Sequence, residues 1–196
     1  LKGIKINVLM GRHAGWLTAA STLGKSSEED GPHLVYLPEK PFKVDGFIND
    51  VKSVYESLGR CVVAVSEGIQ SSNGEYFLQT YAKKTGSTLA GQKDSHGNIQ
   101  LSGSGLLGDT LASIVSENIE KARVRADTFG YLQRSFIADI SEVDAEEAER
   151  VGHHAVVASK EKESGSVILS RQFSETYYCD VDVVELHKVA KHTKNM

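Results

Sequence analysis

Residues 61–68 have the sequence Cys61-Val62-Val63-Ala64-Val65-Ser66-Glu67-Gly68, a run of five apolar residues followed by a polar turn. A continuous apolar run of this length is typical of a strand buried on both faces, as in a parallel sheet covered by helices. The residues after such a strand lie at its carboxyl end, where open α/β sheets bind their ligands. The stretch therefore predicts a buried strand with the carboxylate of Glu67 and a tight turn at Gly68 beside a binding edge.

The sequence on either side alternates between strand and helix patterns. We predict strands at residues 4–10, 34–37, 61–65, 124–129 and 167–169. We predict helices at residues 13–23, from an N-cap at Asp45 to Leu58, at 107–119, from a capping box at Ser141 and Asp144 through Ala155, and at 183–192. This order predicts an α/β fold in three layers, with a mostly parallel sheet flanked by helices.

Residues 70–100 differ in composition from the rest of the chain. They are polar and contain turn-forming stretches such as Ser71-Ser72-Asn73-Gly74 and residues 93–98. We interpret them as a polar insertion that contains a short helix at residues 76–83.

The overall composition is that of an ordinary globular domain. The chain has 196 residues, of which 40% are hydrophobic and 24% charged, and its formal net charge is −4. This length allows one domain with a large core, and the mild acidity argues against a nucleic-acid partner. The two cysteines and seven histidines make no metal-ligand set. No apolar run approaches the roughly 20 residues that span a bilayer. No signal peptide is visible, so we expect a cytoplasmic protein without a membrane partner.

Three charged residues follow predicted strands at their carboxyl ends, namely Arg12, Glu67 and Arg134. An arginine fork suits the oxygens of a phosphate, and a glutamate accepts hydrogen bonds from sugar hydroxyls. Gly11 allows the backbone to approach a ligand closely, and the Tyr131 hydroxyl can donate to a phosphate oxygen. The shared position of these residues at strand ends predicts a single site for a phosphorylated polyol.

Each of these charged residues also has a simpler interpretation. Arg12 can be a surface residue after a turn, and Glu67 can be a helix cap or a solvated loop residue. A charged strand edge would explain Arg125 together with Arg123 and Arg134.

A Gly-rich motif keeps a second ligand class open. Residues 103–108 match the G-x-G-x-x-G dinucleotide fingerprint, and Asp127 ends the next predicted strand at about the right distance for a ribose contact. The strand before this motif, residues 98–101, is short and half polar, whereas the first strand of a dinucleotide site is normally a buried apolar run.

Three ordered stretches carry a resemblance to a known family. They are Met10-Gly11-Arg12-His13-Ala14-Gly15-Trp16, Val63-Ala64-Val65-Ser66-Glu67-Gly68-Ile69 and Gly130-Tyr131-Leu132-Gln133-Arg134-Ser135. Their order and spacing resemble the phosphofructokinase family through nearly the whole chain. The closest resemblance is to the pyrophosphate-dependent branch, because Tyr131 stands where ATP-dependent bacterial members typically carry His. The resemblance implies the phosphofructokinase-like, Rossmann-like form of the α/β fold.

The resemblance also implies an activity in glycolysis. It implies transfer of phosphate from pyrophosphate to the 1-hydroxyl of fructose 6-phosphate, with this chain supplying the sugar-phosphate site. In that reaction Met10 and Gly11 would contact fructose 6-phosphate. Arg12 would stabilise the phosphoryl group in flight, and Glu67 would hold fructose hydroxyls.

Further roles follow from the same resemblance. Tyr131 and Arg134 would bind the 6-phosphate. Arg125 aligns with a family arginine that reaches the 6-phosphate of a neighbouring subunit, which implies a homo-oligomer with a shared site. The resemblance also implies Mg²⁺, held mainly by the upstream part of the family's fold.

Two departures from the family pattern matter. The family's Gly-rich donor site and its Asp-bearing catalytic motif lie upstream of the Met10 motif, so we expect this chain alone to be inactive. Gly3 stands where the family carries an arginine that serves a neighbouring subunit.

The identity of the phosphate donor, pyrophosphate or ATP, stays open. The alternative function is a non-catalytic regulatory module that binds a sugar phosphate or a dinucleotide.

Overall fold

The computed structural model describes residues 2–86, 105–161 and 164–189. The chain divides into two compact units, the first ending at Arg134 and the second beginning at Ser135. Of the helices in the described ranges, none combines the length and the apolar character that a bilayer crossing requires.

The first unit is built on a four-stranded parallel sheet. Its strands are β1 (Gly3–Leu9), β2 (Leu34–Tyr36), β3 (Arg60–Ser66) and β4 (Val124–Thr128), in the order β2-β3-β1-β4. β1 pairs in parallel with both β3 and β4, and β2 pairs in parallel with β3. Cys61, Val63 and Val65 of β3 are almost wholly buried, which confirms the buried strand predicted from the sequence.

Helices cover this sheet. The helices of the first unit are α1 (Trp16–Ala20), α2 (Val44–Leu58), α3 (Phe77–Thr85) and α4 (Leu106–Asn118), and the short α5 (Leu132–Ser135) reaches the chain position where the units meet. α2 packs on β3, and α4 packs on β1 and β4. Ile6, Phe47 and Leu111 lie fully buried in the core between them. The predicted α/β class, with a mainly parallel sheet flanked by helices, is confirmed.

The direction of the strands decides where a ligand can meet the sheet. Because β1, β3 and β4 are parallel, their carboxyl ends at Leu9, Ser66 and Thr128 share one edge. Side chains alternate along β1, so Ile6 joins the core while Lys5 projects from the other face. Lys5 forms an ion pair there with Asp127 of β4.

The second unit combines a long helix with a two-stranded antiparallel sheet. Its elements are α6 (Glu142–Ala158), β5 (Ser166–Arg171), β6 (Cys179–Val184) and the short α7 (Leu186–Val189). The Ser141 side chain accepts a hydrogen bond from the Asp144 N–H at 3.2 Å, which confirms the predicted start of α6. The buried Glu147 carboxylate accepts a hydrogen bond from the Tyr177 hydroxyl, which accepts one from the Cys179 thiol.

Two predicted helix starts are wrong in the first unit. The helix predicted at residues 13–23 is shorter in the structure, where α1 spans only Trp16–Ala20. Its N-cap is Gly15, whose N–H donates a hydrogen bond to the Glu39 carboxylate at 2.9 Å. Asp45 is not the N-cap of α2, since Lys43 occupies that position. Asp45 lies in the first turn instead, where its negative charge interacts favourably with the positive end of the helix dipole.

The helix predicted at residues 183–192 is also wrong at its start. Val183 and Val184 belong to β6, where they pair with Val167 and Ser166 of β5. β-branched side chains pack well on a pleated surface, and the antiparallel partner strand satisfies their backbone groups. The helix begins at Leu186, and residues 190–192 lie outside the described residues.

The short helix predicted at residues 76–83 is confirmed as α3, which begins one residue later. Residues 87–104 lie outside the described residues. Residues 87–100 of the proposed insertion, the predicted strand at 98–101 and the first glycine of the Gly-rich motif fall in that range.

Candidate functional site

A cavity of about 460 Å³ opens at the carboxyl edge of the parallel sheet. Its lining comes from the segments after β1 and β3, from α1, from α5 and from the residue before α5: Met10, Gly11, Arg12, Ala14, Trp16, Leu17, Glu67, Tyr131 and Arg134. Its volume falls within the roughly 300–1,000 Å³ that is usual for small-molecule sites. Six of the seven site residues predicted from the sequence line this one cavity.

The seventh predicted residue, Arg125, lies elsewhere. It is on β4 opposite Lys5, near the amino end of the sheet. It lines a separate cavity of about 450 Å³ together with other basic residues, namely Lys2, Lys5, Arg60 and Arg123. Arg125 therefore does not share a cavity with Arg12 and Arg134 within one chain.

Backbone hydrogen bonds join the ends of β1 and β3 beneath the cavity. The Glu67 N–H donates to the Leu9 carbonyl oxygen at 2.9 Å, and the Gly68 N–H donates to the Gly11 carbonyl oxygen at 3.2 Å. The Ser66 hydroxyl also donates to the Gly11 carbonyl oxygen. These contacts hold the turn that carries Glu67 against the segment that carries Arg12.

Gly11 is required by its own conformation and by its surroundings. Its φ of +147° lies in a region that residues with a β-carbon rarely adopt. A β-carbon there would also lie 2.7 Å from the Ala14 carbonyl oxygen and 2.9 Å from the Ser66 hydroxyl oxygen. The glycine thus lets the chain turn sharply after β1 and leaves the backbone open to the cavity.

Glu67 is the acidic group of the cavity. The residue is only 8% exposed, and one carboxylate oxygen lies 3.5 Å from the Gly11 backbone nitrogen. Burial raises the pKa of Glu67 above its ordinary value, while the Gly11 N–H and the charges of Arg12 and Arg134 act in the opposite direction. Such a carboxylate has acceptor capacity left for the hydroxyl groups of a ligand.

Two arginines supply the positive charge. The Arg134 guanidinium lies 5.7 Å from the centre of the Tyr131 ring, and this ring is 63% exposed. In the described part of the chain, neither Arg12 nor Arg134 forms an ion pair with a carboxylate within 4.0 Å. Their charges are available to an anion, and a guanidinium can bind phosphate through two parallel hydrogen bonds.

Sequence reasoning missed several residues at this site. Trp16 and Leu17 are each half exposed and add an apolar wall to the cavity. Their only signal in the sequence was that Trp16 ends the stretch that begins at Met10 and Leu17 follows it. Tyr76 lies near this site as well, because its ring centre is 6.4 Å from that of His13, the residue directly after Arg12.

The Gly-rich motif has other contacts. A β-carbon on Gly108 would lie 3.0 Å from Ala126, so this glycine allows α4 to pack closely on β4. Asp127 is engaged by Lys5. Gly105 starts α4 with a φ of +67°. These contacts give Gly108 and Asp127 roles in packing and charge pairing.

Known proteins resemble this chain in sequence and in fold. Residues 4–159 match the family model described as Phosphofructokinase. The pyrophosphate–fructose 6-phosphate 1-phosphotransferase of Rhodospirillum rubrum is 49% identical over 197 residues, which cover 100% of this chain and 47% of that protein. The enzyme of the same name from Xanthomonas campestris is 35% identical, with coverage of 95% and 42%.

A solved structure extends this likeness to three dimensions. The crystal structure of the pyrophosphate-dependent phosphofructokinase from Marinobacter aquaeolei matches with a TM-score of 0.71 at 28% identity. The match covers 100% of this chain and 42% of that one. The chain thus spans slightly less than half the length of the relatives it matches. With a family model over most of its length and relatives along the whole of it, this chain belongs to the phosphofructokinase family.

Proposed function

We propose that this chain supplies the fructose 6-phosphate site of an enzyme that transfers phosphate from pyrophosphate to the 1-hydroxyl of the sugar, a step of glycolysis. The observation that carries the proposal is the convergence of Arg12, Glu67 and Arg134 on one cavity. Two cations with no carboxylate partner among the described residues and one buried acceptor suit an anionic ester that also carries hydroxyl groups. The names of the relatives from Rhodospirillum rubrum and Xanthomonas campestris support the reaction and the donor.

Within this proposal each cavity residue has a role. Arg134 and Tyr131 bind the 6-phosphate, and Glu67 accepts hydrogen bonds from the sugar hydroxyls. Met10 and Gly11 contact the sugar where the backbone is open. Arg12 stabilises the charge on the phosphoryl group as it passes to the 1-hydroxyl oxygen.

The proposed reaction requires these residues only to position the reactants and to stabilise charge. Phosphoryl transfer is catalysed almost entirely by positioning the reactants and by neutralising the charge on the transferred group. Arg12 lies in the segment after β1 and Glu67 follows β3 directly, and the two segments are joined by hydrogen bonds. Such a frame holds both groups in place before the substrate binds, so little reorganisation is needed during the reaction.

The described residues do not fit the Mg²⁺ that the family implies. No group of three His, Cys, Asp or Glu side chains suited to a metal lies in the described ranges. Glu67, the acidic side chain of the cavity, accompanies two arginines whose charges would repel a divalent cation. We propose that Mg²⁺, the donor site and the base for the 1-hydroxyl proton lie outside this chain. The 196-residue chain alone then has no turnover, and measured turnover by it would refute this.

Arg125 is proposed to complete the site of a neighbouring subunit, which makes the protein a homo-oligomer. Its position supports this, because it lines a basic cavity near the amino end of the sheet and not the cavity of its own chain. Gly3 borders the same cavity and offers no side chain, so Arg125 acts there with Arg123 and the nearby lysines. We also propose a cytoplasmic location, as suits an enzyme of sugar-phosphate metabolism.

Calorimetric titration of the whole protein with fructose 6-phosphate tests the proposal. Loss of a charge-assisted hydrogen bond corresponds to about 10- to 100-fold weaker binding, which is the result expected for Arg134→Ala. Arg171→Ala is the matched control, because Arg171 also stacks on a tyrosine, 5.4 Å from the ring centre of Tyr177. The proposal fails if the parent protein does not bind the sugar phosphate. Tight binding by a whole protein without turnover would favour the regulatory module instead.

A further inference from the structure

The loop after Glu67 brings a tyrosine back to the candidate site. Gln70 and Tyr76 form an antiparallel bridge, and the Ser71 N–H donates to the Glu75 carbonyl oxygen at 2.8 Å. The Phe77 N–H donates to the Ile69 carbonyl oxygen at 2.9 Å. These bonds close the loop into a small hairpin, so Tyr76 has a defined position at the start of α3.

Tyr76 lies beside the segment that carries Arg12. Its ring centre is 6.4 Å from that of His13, the residue directly after Arg12. The side chain is half-buried, and its hydroxyl makes no hydrogen bond within the described part of the chain. Burial raises the pKa of Tyr76, and the charges of Arg12 and Glu67 lower and raise it respectively. The phenol therefore keeps its proton at neutral pH.

We propose that Tyr76 is a further substrate-binding residue, whose hydroxyl forms a hydrogen bond with a hydroxyl group of the bound sugar. This inference rests on the proposed function. A half-buried phenol with no hydrogen-bond partner among the described residues is a neutral donor and acceptor that a polyol can satisfy. The phosphate group is the poorer candidate for this contact, because in the proposed function it is already bound by Arg134 and Tyr131, on the segment after β4.

The experiment compares three variants of the whole protein by titration with fructose 6-phosphate and, separately, with inorganic phosphate. Tyr76→Phe removes only the hydroxyl and should weaken binding of fructose 6-phosphate about three- to tenfold. Binding of inorganic phosphate should not change, since it offers no sugar hydroxyl. Tyr81→Phe is the matched control on the same helix, where Tyr81 packs on Phe77 with ring centres 5.5 Å apart. This control should bind both ligands like the parent.

The third variant, Tyr76→Ala, separates contact from packing. If Tyr76→Phe binds like the parent while Tyr76→Ala loses affinity, the residue only supports the loop and the inference is overturned. Equal weakening of both ligands by Tyr76→Phe would also overturn it, because the contact would then be to the phosphate. If the parent protein does not bind fructose 6-phosphate, the proposed function itself fails. Kinetics of the active enzyme add a check, since Tyr76→Phe should raise KM for the sugar more than it lowers kcat.

Discussion

Gly68 packs against the backbone of Arg12 with no room for a side chain. A β-carbon at Gly68 would overlap the Arg12 carbonyl oxygen and lie 2.7 Å from the Arg12 α-carbon. These are main-chain atoms in a segment already tied down by hydrogen bonds at Gly11, so they cannot swing aside as a flexible side chain would. The backbone of Arg12, the proposed catalytic residue, can therefore lie this close to the facing turn only because Gly68 has no side chain.

The change Gly68→Ala should therefore separate the turn from the Arg12 segment. Overpacking of this kind costs about 1–3 kcal/mol of the free energy of unfolding, and the displaced Arg12 should lower affinity for fructose 6-phosphate. Chemical denaturation and titration measure the two effects. Gly24→Ala is the control, because a β-carbon at Gly24 would have nothing within 4 Å. A Gly68→Ala protein as stable as the control would contradict the close contact.

Glu67→Gln should make stability less dependent on pH. The folded pKa of Glu67 lies above its ordinary value of 4.5, mainly because of burial. Between the unfolded and folded pKa values the folded protein holds more protons, so the contribution of Glu67 to stability falls as the pH rises. The variant should melt at a higher temperature than the parent at pH 7, and this difference should shrink toward pH 4. It should also bind fructose 6-phosphate more weakly.

Thermal denaturation at the two pH values measures this effect. Glu117→Gln, on the exposed side of α4, controls for the change in net charge alone. A destabilised Glu67→Gln protein at pH 7 would show that ionised Glu67 gains more from its neighbours than burial costs.

Arg12 and Arg134 should differ in how their loss affects the kinetics. Lysine keeps the positive charge but not the planar fork of arginine. If Arg12 acts on the phosphoryl group in flight, Arg12→Lys should lower kcat about 100-fold or more with a small change in KM. Arg134→Lys, at the proposed 6-phosphate position, should mainly raise KM. Steady-state kinetics of the whole enzyme distinguish the two, and the same pattern in both variants would contradict the separate roles.

Two glycines of α2 should respond to alanine in opposite directions. Gly46 is exposed inside the helix, with no close neighbour for a β-carbon and no positive φ. Gly46→Ala should stabilise the protein by about 0.5–1 kcal/mol. Gly59 ends the helix with a φ of +67°, so Gly59→Ala should cost about 1–2 kcal/mol. Denaturant unfolding of the two variants measures whether each change raises or lowers the free energy of unfolding. A stabilising Gly59→Ala would contradict the left-handed cap.

Local sequence pattern was enough to predict the sheet and the edge where the site lies. The apolar run in β3 can only be satisfied by burial on both faces, and this alone places Glu67 at the carboxyl end. The same pattern failed for Val183 and Val184, whose strand conformation depends on pairing with residues some sixteen positions earlier in the chain. Such pairing leaves little trace in a short window of sequence.

The site shows the same limit. Arg12, Glu67 and Arg134 could be grouped because each lies in the segment that follows a strand. Tyr76 could not, because its approach to Arg12 depends on how the loop after Glu67 folds back through the bridge to Gln70. Gly68 looked only like a turn residue, since its contact with the Arg12 backbone involves two segments far apart in the sequence.

The boundary between the two units falls directly after Arg134. Every described residue that lines the cavity at the sheet edge therefore precedes Ser135 and belongs to the first unit. Evolution can consequently vary the sequence and length of the second unit without replacing any atom that lines this cavity. Homologues should tolerate insertions and divergence after Ser135 while retaining the same ligand.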